Sequence, residues 1–244
     1  QPYSSSIFNI SAMSFGSLSS NAVKALNIGA KKGGFSHNTG EGGISNHHRE
    51  GGDLVWQIGT GYFGCRDEHG NFSEEKFAEK ANWPEVKMIE IKISQGAKPG
   101  HGGVLPGVKN TAEIAAIRGV VEGTTILSPP AHSAFTNASE LLDFVDKIRE
   151  LSGGKPVGFK LCVGRTEEFT ICKEMVSKNI YPDFITVDGA EGGTGAAPLE
   201  FSDSVGLPLE PALIFVRMTL EKFQIRSQIR IIASGKAISA FAIL

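Results

Sequence analysis

Long apolar runs and a surplus of one charge are missing from this chain and cysteine is scarce, and each shortage removes a class of function. No stretch approaches the roughly 20 apolar residues of a membrane-spanning helix. The amino terminus, Gln1-Pro2-Tyr3-Ser4, has neither the basic start nor the apolar centre of a signal peptide. A soluble, cytoplasmic protein with no membrane segment is therefore expected. The three cysteines, Cys65, Cys162 and Cys172, are odd in number and show no CxxC spacing, so neither a disulfide framework nor a zinc site is expected. They read as reduced, buried thiols. With 24 basic against 26 acidic residues and a formal net charge of −2, the chain lacks the basic excess that nucleic acid would demand. His132 and the pair His47-His48 have no further ligand at metal-binding spacing, so no metal is expected.

What the chain has in abundance is glycine, 30 of 244 residues, gathered in clusters that follow apolar runs. The length suits one large domain, residues 1–244, and (β/α)8 barrels of this size are common. The stretch that organises the rest is Lys92-Ile93-Ser94-Gln95-Gly96-Ala97-Lys98-Pro99-Gly100-His101-Gly102-Gly103, directly after the strand-like run Val86 to Ile91. Its polar residues fall at the carboxyl end of a strand, where α/β enzymes hold their chemistry. On this stretch alone an active-site loop and a solvated glycine-rich turn are equally good readings.

Taken in order, Ile7 to Ser14 reads as a first strand, Ser19 or Ser20 as the N-cap of a helix that stops at Gly33-Gly34, and residues 35–43 as a short extended segment. Leu54 to Ile58, Val86 to Ile91, Thr124 to Ser128, Val157 to Cys162, Phe184 to Val187 and Arg230 to Ala233 follow as strands. Helices are expected around 74–80, 111–117, 166–178 and 211–223. The clearest begins at the capping box Asn137-Ala138-Ser139-Glu140 and ends at Gly153-Gly154. Gly59-Thr60-Gly61-Tyr62-Phe63-Gly64 matches GxGxxG, but no helix opens after it, so a dinucleotide site is rejected. About seven strands alternate with helices, one short of a closed barrel. The expected fold is a (β/α)8 TIM barrel cut short before strand eight and incomplete at the carboxyl terminus. An open doubly wound sheet is the alternative.

Several residues in this pattern can carry chemistry. Lys92 and Lys160 lie in or at the ends of apolar strands, where an unpaired ammonium is costly, so each should meet an anion or reach the barrel mouth. Gly192-Gly193-Thr194-Gly195 and Ser234-Gly235-Lys236 follow late strands and precede helices, a setting in which backbone N–H groups cup a phosphate. A tight turn would use the same glycines. Glu41 offers a counter-ion or a proton-handling group, and Arg118 a planar fork for a carboxylate. For these two, taken singly, an exposed salt bridge is the plainer reading.

Together these motifs resemble the FMN-binding synthase domain of glutamate synthases, above all the stand-alone glutamate-synthase-like proteins without an amidotransferase domain. The resemblance is carried by 10–18 (ISAMSFGSL), 38–43 (NTGEGG), 90–100 (EIKISQGAKPG), 127–132 (LSPPAH) and 192–198 (GGTGAAP). It implies an FMN oxidoreductase acting on CH–NH2 donors, which reduces 2-iminoglutarate, formed from 2-oxoglutarate and ammonia, to glutamate. By the same resemblance Ala12, Met13 and Ser14 lie beside the flavin ring, Lys160 near its N1 edge, and Gly192, Gly193, Gly235 and Lys236 around the phosphate. Glu41, Lys92 and Gln95 are the implied catalytic residues, with Lys92, Gln95 and Arg118 binding a 2-oxo or 2-imino dicarboxylic acid. The chain departs from the family at His101, where glutamate is usual, and in the insertion Asn46 to Asp53. The family's iron–sulfur cysteines would lie beyond Leu244, and an electron donor such as a ferredoxin or a reductase subunit is the expected protein partner. A flavin enzyme for another 2-oxo or 2-imino acid, and a non-catalytic barrel, are the competing functions.

Overall fold

The structure, a computed structural model, describes residues 2–164, 169–202, 204–235 and 239–243. Six parallel strands form one curled sheet in the order β1 (His37–Asn38), β2 (Leu54–Ile58), β3 (Val86–Lys92), β6 (Val157–Leu161), β7 (Phe184–Asp188) and β8 (Arg230–Ser234). The helices are α1 (Ser20–Gly33), α2 (Glu74–Ala81), α3 (Ala112–Arg118), α4 (Ala138–Leu151), α5 (Ile171–Lys178), α6 (Leu209–Lys222) and the short α7 (Ala240–Ile243).

The strands alternate, and each face has its own chemistry. Outward, Leu54, Trp56, Ile58, Ile89, Ile91, Val157, Phe159, Ile185 and Val187 pack against the apolar faces of α2, α4, α5 and α6 in one continuous core. Burying such side chains, at about 1.5–3 kcal/mol each, is the main force that holds the helices on the sheet. Inward, the side chains form layers. Val55, Met88 and Phe184, with Ile232, close the bottom. Gln57, Glu90, Gly158 and Thr186 come next, and Lys92, Lys160 and Asp188 lie at the carboxyl end. Gly158 is there because a Cβ would stand 2.3 Å from the Phe184 carbonyl oxygen and 2.6 Å from its ring. With helices on the convex side and a layered concave side, the architecture is a half-barrel, which agrees with a truncated TIM barrel and not with a doubly wound sheet.

Two expected strands take other forms. Residues 7–14 touch the sheet only at the Ile10–His37 bridge and through the Met13 N–H, which donates to Asn38 O at 3.1 Å. The Asn9 side chain bonds backbone groups instead: its Nδ2 donates to Ser6 O at 2.7 Å, and its Oδ1 accepts the Ser36 N–H at 2.9 Å from across the fold. Such side-chain bonds compete with a strand ladder. The second case is 124–128, of which only β5 (Ile126–Leu127) is strand, paired antiparallel with β4 (Val104–Leu105) in a separate ribbon. Pro129 and Pro130 have no N–H to extend that strand, and Leu127 is 70 % exposed. β3 therefore pairs directly with β6, which brings Lys92 opposite Lys160.

Candidate functional site

The carboxyl ends of the strands converge on a cluster of charge. Lys92 Nζ lies 2.9 Å from Glu41 Oε1 and 2.8 Å from Gln95 Oε1. Its register partner Lys160 is 3.6 Å from Asp188 Oδ2, which also accepts the Gly96 N–H at 2.8 Å. Gly96 can pass this close because it lacks a side chain: its Cβ would stand 1.7 Å from Gly189 O. Glu41 reaches Lys92 from the loop after β1. A Cβ on Gly59 would meet Glu41 Oε2 at 2.6 Å, so the first glycine of the GxGxxG match makes room for this carboxylate. The side chains of Lys92 and Glu41 are only 13 % and 21 % exposed, which overturns the exposed salt bridge expected for Glu41 taken alone.

Two clefts open here, and Glu41 and Gly103 line both. One contains Thr60, Lys92, Ser94, Gln95, His101 and Pro129. The other contains Ser14, Ser17, Ser128 and Arg118. Arg118, the last residue of α3, is buried. It donates from Nη2 to Phe15 O at 3.3 Å and lies over the Phe63 ring at 5.0 Å from the centroid, while its Nε has no hydrogen-bond partner. It too is no surface salt bridge.

Electrostatics follow from this crowding. Burial pushes the Glu41 carboxyl up, but Lys92, with Lys98 and Lys160 behind it, outweighs burial and holds it below its ordinary value. Lys98 is pushed down by burial and by Lys92, and Glu41 partly offsets this. Its Nζ donates to Gly102 O at 2.8 Å. His132 is pushed down to about 4 by burial, against the pull of the Lys92 carbonyl. A hydrogen-bond chain runs through it. The Ala134 N–H donates to Tyr62 Oη at 3.1 Å, the Tyr62 hydroxyl faces His132 Nδ1 at 3.1 Å, and His132 Nε2–H donates to Lys92 O at 2.8 Å.

Of the residues expected from sequence, Glu41, Lys92 and Gln95 meet in one cleft, and Arg118 and Ser14 line its neighbour. Lys160 stands beside Lys92 by register. Ala12, Met13 and Ser14 are half-buried at the same end of the sheet. Gly192, Gly193 and Gly235 lie on the loops after β7 and β8 and line neither cleft. A Cβ on Gly193 would meet nothing within 4 Å, and Gly235, at φ +114°, runs beside Gly189. Lys236 lies outside the described residues. Sequence reasoning missed Asp188, Lys98 and Glu90. Glu90 is buried in the middle layer, where its carboxylate accepts from Asn38 Nδ2 at 2.7 Å, Gln57 Nε2 at 2.7 Å and Thr186 Oγ1 at 2.6 Å. A carboxylate inside an apolar strand was the available signal for Glu90. Asp188 was marked only by ending a strand before a glycine.

The family model described as the conserved region in glutamate synthase matches residues 3–244. The chain belongs to this family. It is 47 % identical over 232 residues to the glutamate synthase large subunit-like protein YerD of Bacillus subtilis, covering 94 % of this chain and 44 % of YerD. It is 37 % identical over 226 residues to the archaeal-type glutamate synthase [NADPH] of Thermotoga neapolitana, covering 92 % of this chain and 41 % of that protein. To the archaeal glutamate synthase [NADPH] of Methanocaldococcus jannaschii it is 36 % identical over 228 residues, covering 93 % and 42 %. The glutamate-synthase-like chain thus spans less than half the length of these relatives. Among solved structures, a mandelate oxidase variant with a monooxide FMN adduct superposes with a TM-score of 0.52 at 13 % identity, covering 96 % of this chain and 59 % of that one. That likeness concerns the fold alone.

Proposed function

We propose that this glutamate-synthase-like chain is the FMN-dependent oxidoreductase domain of an enzyme that reduces 2-iminoglutarate, formed from 2-oxoglutarate and ammonia, to glutamate. The observation that carries the reading is the register pair Lys92–Lys160 at the mouth of the half-barrel, with Glu41 between the Lys92 cleft and the Arg118 cleft. A dicarboxylic acid needs cationic groups at both ends, and here they stand on either side of one carboxylate. The residues also fit FMN. Gly193 and Gly195 leave open space where side chains would stand, Gly235 has a backbone that only glycine adopts readily, and Lys160 offers a cation at a strand end.

When bound, FMN supplies the hydride that reduces the imine carbon. Lys92 and Arg118 grip the substrate carboxylates, and the Gln95 amide fixes one of them over the mouth. Lys160 would offer its ammonium to the cofactor ring, while Asp188 holds Lys160 and the Gly96 backbone in place. Lys92 turning to a substrate carboxylate would take the nearest ammonium away from Glu41, in a site whose burial favours the neutral carboxyl. Glu41 can thereby hold a proton for the substrate nitrogen. The backbone at 12–14 and the glycine loops at 192–193 and 235 would hold the ring and the phosphate, with Lys236 adding charge. A protein or domain that delivers electrons is the proposed partner.

The test is FMN titration of the apoprotein followed by visible spectroscopy. Stoichiometric uptake, weakened at least tenfold in Lys160→Met and Gly193→Val, is expected. Turnover of 2-oxoglutarate with ammonium and reduced flavin then identifies the substrate. No flavin uptake by the wild-type protein would sink the proposal.

A further inference from the structure

The segment 12–14 has no strand to hold it, since residues 7–14 meet the sheet only at Ile10 and Met13. On one side the Met13 N–H donates to Asn38 O. On the other, the Met13 carbonyl meets the Nε2 of His48 at 3.0 Å. His48 ends the single 3-10 turn Asn46–His48 inside the insertion and is fully buried. The Ser45 backbone N–H donates to its Nδ1 at 3.2 Å, so Nδ1 is an acceptor and the proton is on Nε2, aimed at Met13.

The insertion is itself anchored. The side chain of Asn27, buried in α1, accepts the Glu50 N–H at 2.9 Å and the Gly52 N–H at 3.0 Å through Oδ1, and its Nδ2 faces His37 Nδ1 at 3.4 Å. Gly52 allows this approach, because a Cβ there would stand 2.7 Å from Asn27 O. The path from α1 through Asn27 to the turn and His48 reaches the Met13 carbonyl, in the segment proposed above to lie beside the flavin.

We propose that His48 is a positioning residue: its Nε2–H replaces the missing strand bond and fixes residues 12–14 for flavin binding. The flavin part rests on the proposed function; the fixing of the segment does not. It gives the 46–53 insertion a role, as a brace under one wall of the site.

The test compares His48→Gln, whose amide reaches the Nε2 position and keeps the donor, with His48→Asn, which keeps only the Nδ1 side. Amide hydrogen exchange is read over residues 10–18, with α4 as a folding control, and FMN affinity is measured on the same proteins. In His48→Asn, exchange at Met13 to Ser17 should rise about tenfold or more, and FMN should bind about tenfold more weakly, a factor that corresponds to about 1.4 kcal/mol. His48→Gln should restore both, and α4 should stay protected throughout. Equal behaviour of the two variants, unchanged exchange in His48→Asn, or loss of protection in α4 would each overturn the role. Absence of FMN uptake by the wild-type chain would overturn the proposed function, and exchange at Met13 to Ser17 would still decide whether His48 holds the segment.

Discussion

Glu41 sits close to three ammonium groups, Lys92, Lys98 and Lys160, and its behaviour on acidification follows from that company. Its folded pKa lies below the ordinary 4.5, so the unfolded chain takes up a proton first as pH falls. The stability this carboxylate contributes is fully present above about 4.5 and is lost as pH drops through the lower folded value. Glu41→Gln should flatten that acid limb and cost about 1–3 kcal/mol at pH 7, because Lys92 is left without its counter-ion in a largely buried site. Urea unfolding from pH 3 to 7 checks both effects. His132 acts in a different window. Its folded pKa of about 4 lies below the ordinary 6.5, so the native state resists protonation and stability falls as pH goes from 6.5 towards 4. Up to about 3 kcal/mol is lost over that window. His132→Gln keeps a donor for the Lys92 carbonyl and should remove that part of the slope, measured by the same unfolding series between pH 6.5 and 4.

At the scale of elements, packing on the concave face is the most demanding feature. Gly158→Ala in β6 should lower stability by about 2 kcal/mol or more, because its Cβ meets a backbone carbonyl of β7 that cannot swing aside. Thermal unfolding measures this, and an unchanged midpoint would contradict the layered arrangement. Helices were the easiest elements to read. α1 starts after the Ser19 cap and stops at Gly34, which is left-handed at φ 66°. α4 starts after Asn137, whose Oδ1 accepts the Glu140 N–H at 2.9 Å. The reciprocal bond differs from expectation, since Glu140 Oε2 accepts from the Thr136 N–H, one residue before the cap, at 2.7 Å. Asn137→Ala should cost about 1 kcal/mol by the same measurement. Strands were harder. The short run at 124–128, expected as a strand that breaks at Pro129-Pro130, became part of a two-stranded ribbon, because a short β-prone run reports an extended segment and not its partner.

At the scale of the 244-residue chain, the β8 edge of the described sheet has a consequence in solution. Among the described residues no strand pairs with the outer edge of β8, whose Arg230 and Ala233 are exposed. Unpaired edge groups are a template for another strand, so the 244-residue chain should self-associate as concentration rises. Ala233→Lys should reduce that association, with sedimentation velocity at several concentrations as the check. Equal sedimentation of the two proteins would mean that the edge is covered.

The fold class, the family and the side chains Glu41, Lys92 and Gln95 of the candidate cleft were legible in the residues themselves. Strand-to-loop order places Lys92, Gln95, Lys160 and the glycine loops at the carboxyl end of parallel strands, and that follows from periodicity and turn chemistry, which are local. What the tertiary structure decided is who meets whom. Pairing of β3 with β6 across more than sixty residues brought Lys92 beside Lys160, and loop packing at Gly59 and Gly96 brought Glu41 and Asp188 to them. Neither contact has a local signal, because strand pairing depends on long-range packing. The same reason explains Arg118, which lies beside Phe15 and Phe63, and His48, which the sequence marked only as half of a histidine pair in an insertion.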